Sequence, residues 1–244
     1  MKKKMCLLFS IILFSFNSYS SETIGIDKAY PPYMHGSKNV AKGLYVQLLK
    51  SIFQKMNVGV ALEAKPWKRI MRLAKKGKWG VGGIYKNSER VKIFDYSEPI
   101  YHEKLVLFIN KSSNLKFNSL EDLRGKKLGV MRGWSYGESF DKARKSKVFS
   151  VMETNKGKQS FALLLKNKVD GVVIDGISAK IILEKNNWAE KVKEETTPVA
   201  RNAAYIVFLK SMKKSGVINK FNNALAKMRK DGSYDKIISS FVKE

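Results

Sequence analysis

The sequence predicts an α/β protein of two lobes, and three observations carry that expectation. Short apolar runs of strand length alternate with longer stretches whose apolar residues recur three and four positions apart, the spacing of a helix face. The alternation runs strand, helix, strand, helix, strand through residues 23–84 and restarts at residue 104, so one α/β unit follows another. The chain has 244 residues, 44% of them hydrophobic and 11% aromatic, enough to fill two cores and to exclude a disordered or collagen-like polypeptide.

Residues 23–26 form the first strand. Over residues 43–56, Leu44, Leu48, Leu49, Ile52, Phe53 and Met56 share one helical face. A strand at 58–63, a basic helix at 67–76 stopped by Gly77, and a strand at 79–84 complete a unit whose order predicts a parallel sheet wrapped by helices. The second unit opens with an apolar strand at 104–109. A short helix at 118–125 follows, with the polar start Asn118-Ser119 and the stop Gly125. Strands at 127–131, 149–152 and 169–174 then alternate with helices at 136–145 and 159–166, and a helix near 177–184 follows. A strand at 203–208 leads into an amphipathic helix with Val217, Ile218, Phe221, Leu225 and Met228 inward, and a last helix spans 234–242.

Forty-seven Lys and Arg stand against 21 Asp and Glu, a formal charge of +26, and 39 of the basic residues are Lys. Such an excess suits a nucleic-acid partner, an anionic membrane, an acidic ligand, or Lys spread over solvated faces. The Lys are scattered, and no helix-turn-helix or aromatic-rich RNA motif accompanies them, so no nucleic-acid partner is expected. Lys2 to Lys4, the apolar run 5–16 and the small residues of Ser18-Tyr19-Ser20 read as a secretory signal peptide over residues 1–20. Its removal leaves 224 residues and a charge of +23. Cys6, the only cysteine, lies at the start of the apolar run instead of following it, so neither a lipid anchor nor a disulfide is expected. His35 and His102 are the only histidines and no carboxylate cluster has ligand spacing; no metal or other cofactor is expected.

Four motifs, in order, resemble a known family. They are Tyr30-Pro31-Pro32-Tyr33 followed by Gly43-Leu44 and a helix; Ser88-Glu89-Arg90 followed by residues 94–99, Phe-Asp-Tyr-Ser-Glu-Pro; residues 120–130, from Leu120-Glu121-Asp122-Leu123 to Gly129-Val130; and residues 170–175, ending at Ile174-Asp175. The chain resembles the bacterial extracellular solute-binding proteins of family 3, the polar amino-acid type, over nearly its whole length beyond residue 20. The resemblance implies a two-lobed periplasmic-binding-protein-like fold of type II, each lobe a central sheet flanked by helices, hinged by two crossover strands near Asn110 and Pro198. Lobe 1 would comprise residues 21–109 and 198–244, with the C-terminal helices packed on it, and lobe 2 residues 110–197. It also implies a periplasmic monomer that closes on an amino acid or small carboxylate and delivers it to an inner-membrane ABC-type permease.

Arg90 follows the third strand, where a ligand lies in such sheets, and a guanidinium there can hold a carboxylate with two parallel hydrogen bonds. Asp175 ends the corresponding strand of the second unit, a position that in the family takes the ligand's ammonium group. A structural ion pair for Arg90 and a helix N-cap for Asp175 are the alternatives. Ser135 and Tyr136 open a helix after Gly133, which suits either an anion or an ordinary cap. Tyr30, Tyr33 and Trp67 occupy places where the family lines its cleft, and core packing is the alternative for each; Trp134 is a further wall candidate. Five and seven positions before Arg90 the family commonly has small hydroxyl or glycine residues; here they are Tyr85 and Gly83. The tyrosine either fills or stacks in the cleft, and it puts the usual hydrogen bond to the ligand in doubt. Gly80 replaces an aspartate, a change of structural character. No catalytic residue is expected. Two other functions stay open: a periplasmic dehydratase of the same fold, with Glu89 beside Arg90 as the candidate acid, and a sensory protein that presents its ligand to a receptor.

Overall fold

A computed structural model describes residues 21–37 and 40–242; the expected signal peptide lies outside the described residues. The first lobe starts with strand β1 (Ser21–Asp27) and a small antiparallel sheet of β2 (Ala29–Tyr30), β3 (Met34–Ser37) and β4 (Val40–Lys42). Helix α1 (Leu44–Lys55) buries Leu44, Leu48, Leu49, Ile52 and Phe53, the face that the sequence periodicity marks. Strand β5 (Gly59–Lys65), helix α2 (Trp67–Lys75), strand β6 (Gly80–Tyr85), a single-turn helix α3 (Arg90–Ile93) and strand β7 (Phe94–Tyr96) follow. A long strand, β8 (Tyr101–Asn110), leads to the second lobe, where a short 3₁₀ helix at Leu120–Leu123 is closed by a capping box between Ser119 and Asp122. Strand β9 (Lys127–Met131), helix α4 (Glu138–Lys145), strand β10 (Ser150–Thr154), helix α5 (Gly157–Leu165), strand β11 (Gly171–Asp175), helix α6 (Gly176–Lys185) and the short strand β12 (Val192–Glu194) complete that lobe. The chain returns through β13 (Ala200–Leu209) to α7 (Ser215–Lys230) and α8 (Ser233–Val242).

The strands lie in the order β5-β1-β6-β13-β8-β11-β9-β10, with β7 beside β13 and β12 beside β8. Within each lobe the sequence-local pairs are parallel: β1 with β5 and β6, and β9 with β10 and β11. The two long strands break that pattern. Residues 101–105 of β8 pair antiparallel with 200–204 of β13; beyond them β8 pairs with β11 and β12, and β13 with β6 and β7. The parallel order expected for residues 23–84 holds among β1, β5 and β6, and the crossing strands make the whole sheet mixed. Two strands that cross between lobes in opposite directions must meet antiparallel, and their shared segment is the natural pivot. The partner change falls within residues 101–105 of β8, a few residues before the Asn110 position that the resemblance implies.

The core continues under both crossing strands. Helices α7 and α8 pack on α1, with the Phe53 and Phe221 rings 5.8 Å apart at 60°. A second cluster on the opposite face of the second lobe gathers Phe108, Phe161, Leu164 and Val172 beneath α5 and α6. Gly80 is structural: a Cβ there would lie 2.6 Å from Ile24 Cδ1.

Candidate functional site

The strand order sends the carboxyl ends of β1, β6, β9 and β11 toward the line where the lobes meet. Arg90 follows β6, and its Nη1 donates to the Tyr85 carbonyl at 3.0 Å. That bond orients the guanidinium, which stacks near the Trp67 ring at 5.8 Å; Trp67 is held as the first residue of α2. Opposite, Trp134 and Ser135 come from the loop after β9. A cavity lined by Tyr30, Trp67, Gly83, Tyr85, Arg90, Trp134 and Ser135, with Met34, encloses about 20 Å³, room for about one water molecule.

Seven of the ten cleft residues marked by the sequence therefore converge on one cavity: Tyr30, Trp67, Gly83, Tyr85, Arg90, Trp134 and Ser135. Tyr33, Tyr136 and Asp175 stand outside its lining. Tyr33 packs among Tyr30, Tyr45 and Tyr101, with ring centroids 5.0 to 5.7 Å away. Tyr136 points into the second lobe's core, where its hydroxyl accepts from Met131 N at 2.7 Å and its ring packs on Phe140. Asp175 caps α6, Oδ1 accepting from Ser178 N at 2.8 Å, while its Oδ2 is buried with no hydrogen-bond partner. Burial raises its pKa, against the bond from Ser178. Ser135 and Tyr136 do not open a helix, which corrects the sequence expectation. Gly137, at φ 100°, is the cap, and α4 starts at Glu138. Asp141 folds back over the turn, accepting from Ser135 Oγ and from Tyr136 N, so those groups are satisfied by a side chain.

Glu103 is the residue that sequence reasoning missed. It is fully buried in β8, and the hydroxyls of Tyr30, Tyr45 and Tyr85 all donate to its carboxylate, Tyr85 at 2.6 Å. Burial, then the nearby Asp175 carboxylate, raise its pKa to about 7 although the three tyrosines oppose the shift. The signal was available: Glu103 has the parity of Leu105, Leu107 and Ile109, the inward face of the strand. Two of its tyrosines line the cavity, so Glu103 fixes that wall from behind. Asp27, at the end of β1, was also missed. Its carboxylate accepts from Trp134 Nε1 at 2.8 Å across the lobes, and burial lifts its pKa to about 6 against that bond.

Other direct contacts hold the lobes together. Ser178 Oγ donates to the Pro31 carbonyl at 2.8 Å, Ser88 N to Glu138 Oε2 at 2.8 Å, and Asn87 Nδ2 to Ser135 Oγ at 3.2 Å. The Tyr30 and Trp134 rings meet edge to face at 4.4 Å. Chemically, the interface offers a cation and a hydroxyl on facing walls, aromatic sides and a buried carboxylate oxygen nearby. It suits noncovalent capture of a small polar molecule.

Comparison with known proteins places this geometry in a family. The chain is 23% identical over 240 residues to ABC transporter arginine-binding protein 1 of Escherichia coli (strain K12), covering 96% of this chain and 97% of that protein. Among solved structures, an ancestral arginine-binding protein bound to arginine matches with a TM-score of 0.76 and 28% identity over 91% of this chain and 98% of the other. A histidine kinase sensor domain with similarity to periplasmic binding proteins matches in fold, with a TM-score of 0.80 and 22% identity over 91% and 95% of the two chains. The family model for bacterial extracellular solute-binding proteins, family 3, covers residues 23–244, and the chain belongs to that family.

Proposed function

We propose that this chain is an exported solute-binding protein of the periplasm that captures an amino acid between its lobes and presents it to an ABC-type permease. The observation that carries the reading is the pairing of Arg90 on one lobe with Ser135 on the other along a single cavity. A carboxylate held by the guanidinium fork would bind both lobes at once if Ser135 Oγ turns its single proton from Asp141 to the ligand. Trp67 Nε1, a donor, and Asp175 Oδ2, an acceptor, are buried and unpartnered at the same interface, which suits a ligand carrying both an acceptor and an ammonium group. The relatives named for arginine binding support the amino-acid class. About 20 Å³ cannot hold an amino acid, so entry requires the lobes to part about the crossing strands and the aromatic side chains to give way.

A binding role is favoured over the dehydratase reading. A general acid must reach the reacting atoms. Glu103, whose pKa would suit that task, lies behind Tyr30 and Tyr85, both carboxylate oxygens accepting from tyrosines, and Glu89 is exposed at the rim.

A thermal-shift screen of the common amino acids and their deaminated analogues tests the proposal. A ligand at 100 times its Kd contributes about 2.7 kcal/mol, which for a chain of this size raises Tm by about 5–10 °C. At least one amino acid should produce that shift; a screen in which only non-amino compounds do would overturn the amino-acid reading.

A further inference from the structure

Outside the inner cavity, the lobes enclose a second and much wider groove of about 1480 Å³. Lys28, Lys42 and Lys68 reach it from the first lobe, and Arg132, Lys156, Lys158 and Lys185 from the second; all seven are exposed. One carboxylate, Asp27, lines the groove, and it is buried and engaged by Trp134. Of the seven cations, Arg132 alone has a carboxylate partner among the described ion pairs, Glu153 at 3.8 Å, which it shares with Arg144. Basic and acidic residues stand at 47 to 21 over the chain, so a wall with seven cations and one occupied carboxylate is more one-sided than scattered Lys would give.

Helix α5 adds to the same field. Its cap is Lys156 and Lys158 lies in its first turn, with no acidic residue there and no capping side chain. Helix α4, by contrast, has Glu138 and Asp141 at its start, the arrangement that the helix dipole favours. Two lysines at the positive end of α5 raise the local potential where the groove is already basic, and a bound anion would relieve it.

We propose that this groove, which adjoins the inner cavity and shares Tyr30, Trp67 and Trp134 with it, is a second binding site for a small molecule carrying several phosphate groups, which would span both lobes. Lysine ammonium groups act as point charges suited to phosphate oxygens spread over an extended molecule, whereas planar carboxylate recognition calls for arginine forks. The concave wall favours a soluble molecule over a flat lipid surface. Contacts from both lobes would make such an anion a brace between them.

Calorimetry of the chain with tripolyphosphate at 0.15 M salt, where the field of distant charges is screened beyond about 8 Å, tests the site. Saturable 1:1 binding is expected. Lys156→Gln with Lys158→Gln should weaken it about tenfold, since two charge-assisted contacts are lost. Lys220→Gln with Lys227→Gln, on the exposed face of α7, should change it less than about twofold by the same reasoning. Absence of saturable binding, several weak sites, or equal weakening by both pairs would overturn the proposal. Thermal unfolding of each variant checks that it folds. Amino-acid shifts measured on the same variants without tripolyphosphate report on the inner cavity, so failure of one site does not read as failure of the other.

Discussion

At Arg90, geometry and charge separate the binding role from a structural one. The guanidinium bonds a backbone carbonyl and stacks on Trp67, and the described ion pairs give it no carboxylate partner, so its fork is oriented but not neutralised by the protein. Arg90→Lys should leave the fold intact and cost an amino-acid ligand about 2 kcal/mol or more, roughly 30-fold in Kd, because an ammonium cannot make the two parallel bonds. Calorimetry on the folded variant checks this. Asp175→Asn keeps the cap, since Asn serves that position as well as Asp, but removes the charge. Binding of the amino acid should fall far more than that of its deaminated analogue; equal losses would assign Asp175 to the helix alone. Glu103 gives a pH test. Its folded pKa is raised to about 7 from an ordinary 4.5, so between those values the native state holds more protons than the unfolded state, and stability from this group is present at low pH and lost as pH rises through 7. Relative to wild type, Glu103→Gln should therefore gain stability from pH 4.5 to 7.5, by up to about 3 kcal/mol, in urea unfolding at each pH. A pH-independent difference would mean that the carboxylate is not held in this state.

At the scale of elements, legibility followed the range of the interactions. Helix α1 was readable because Leu44, Leu48, Leu49, Ile52 and Phe53 repeat at helical spacing, and β11 because Val172, Val173 and Ile174 form a continuous apolar run. Strands β2, β3 and β4 were not, since at two to four residues each they carry no period, and their pairing depends on the packing of the neighbouring lobe edge. The antiparallel meeting of β8 and β13 joins segments about a hundred residues apart, which no local pattern encodes. The site was legible where it sits on strand ends, as at Arg90, and illegible where side chains converge from separate elements, as the three tyrosines do on Glu103. The turn at Ser135 and Tyr136 was misread because Asp141 replaces the cap from inside the helix. Strand β6 offers a further test: Gly83 sits at φ 73°, and a Cβ would lie 2.7 Å from Tyr45 and 2.9 Å from Met34. Gly83→Ala should destabilise the protein by about 2–4 kcal/mol in urea unfolding, combining backbone strain with overpacking.

Over the whole molecule, the two crossing strands join lobes whose facing surfaces meet through hydrogen bonds from Trp134 to Asp27, Ser178 to Pro31, Ser88 to Glu138, Asn87 to Ser135 and Asp141, and Asn202 to Tyr136, and through the Tyr30 and Trp134 rings. Opening must break these contacts, so a ligand that bridges Arg90 and Ser135 shifts the balance by as much as it binds the closed form better than the open one. The basic surface and the acidic residues beneath it act at different depths: the exposed lysines set the long-range field, and Asp27, Glu103 and Asp175 set the environment of the interface. The central claim, lobe closure on an amino acid, is tested most directly by the distance between spin labels placed through Lys75→Cys on α2 and Lys145→Cys on α4. These residues are exposed on opposite walls of a separate interlobe cleft of about 520 Å³ beside Arg90 and Asp141, and Cys6 is the only native cysteine. The account predicts a broad distance distribution without ligand that narrows to its short end when the amino acid identified by the screen is saturating. Identical distributions with and without saturating ligand would contradict it.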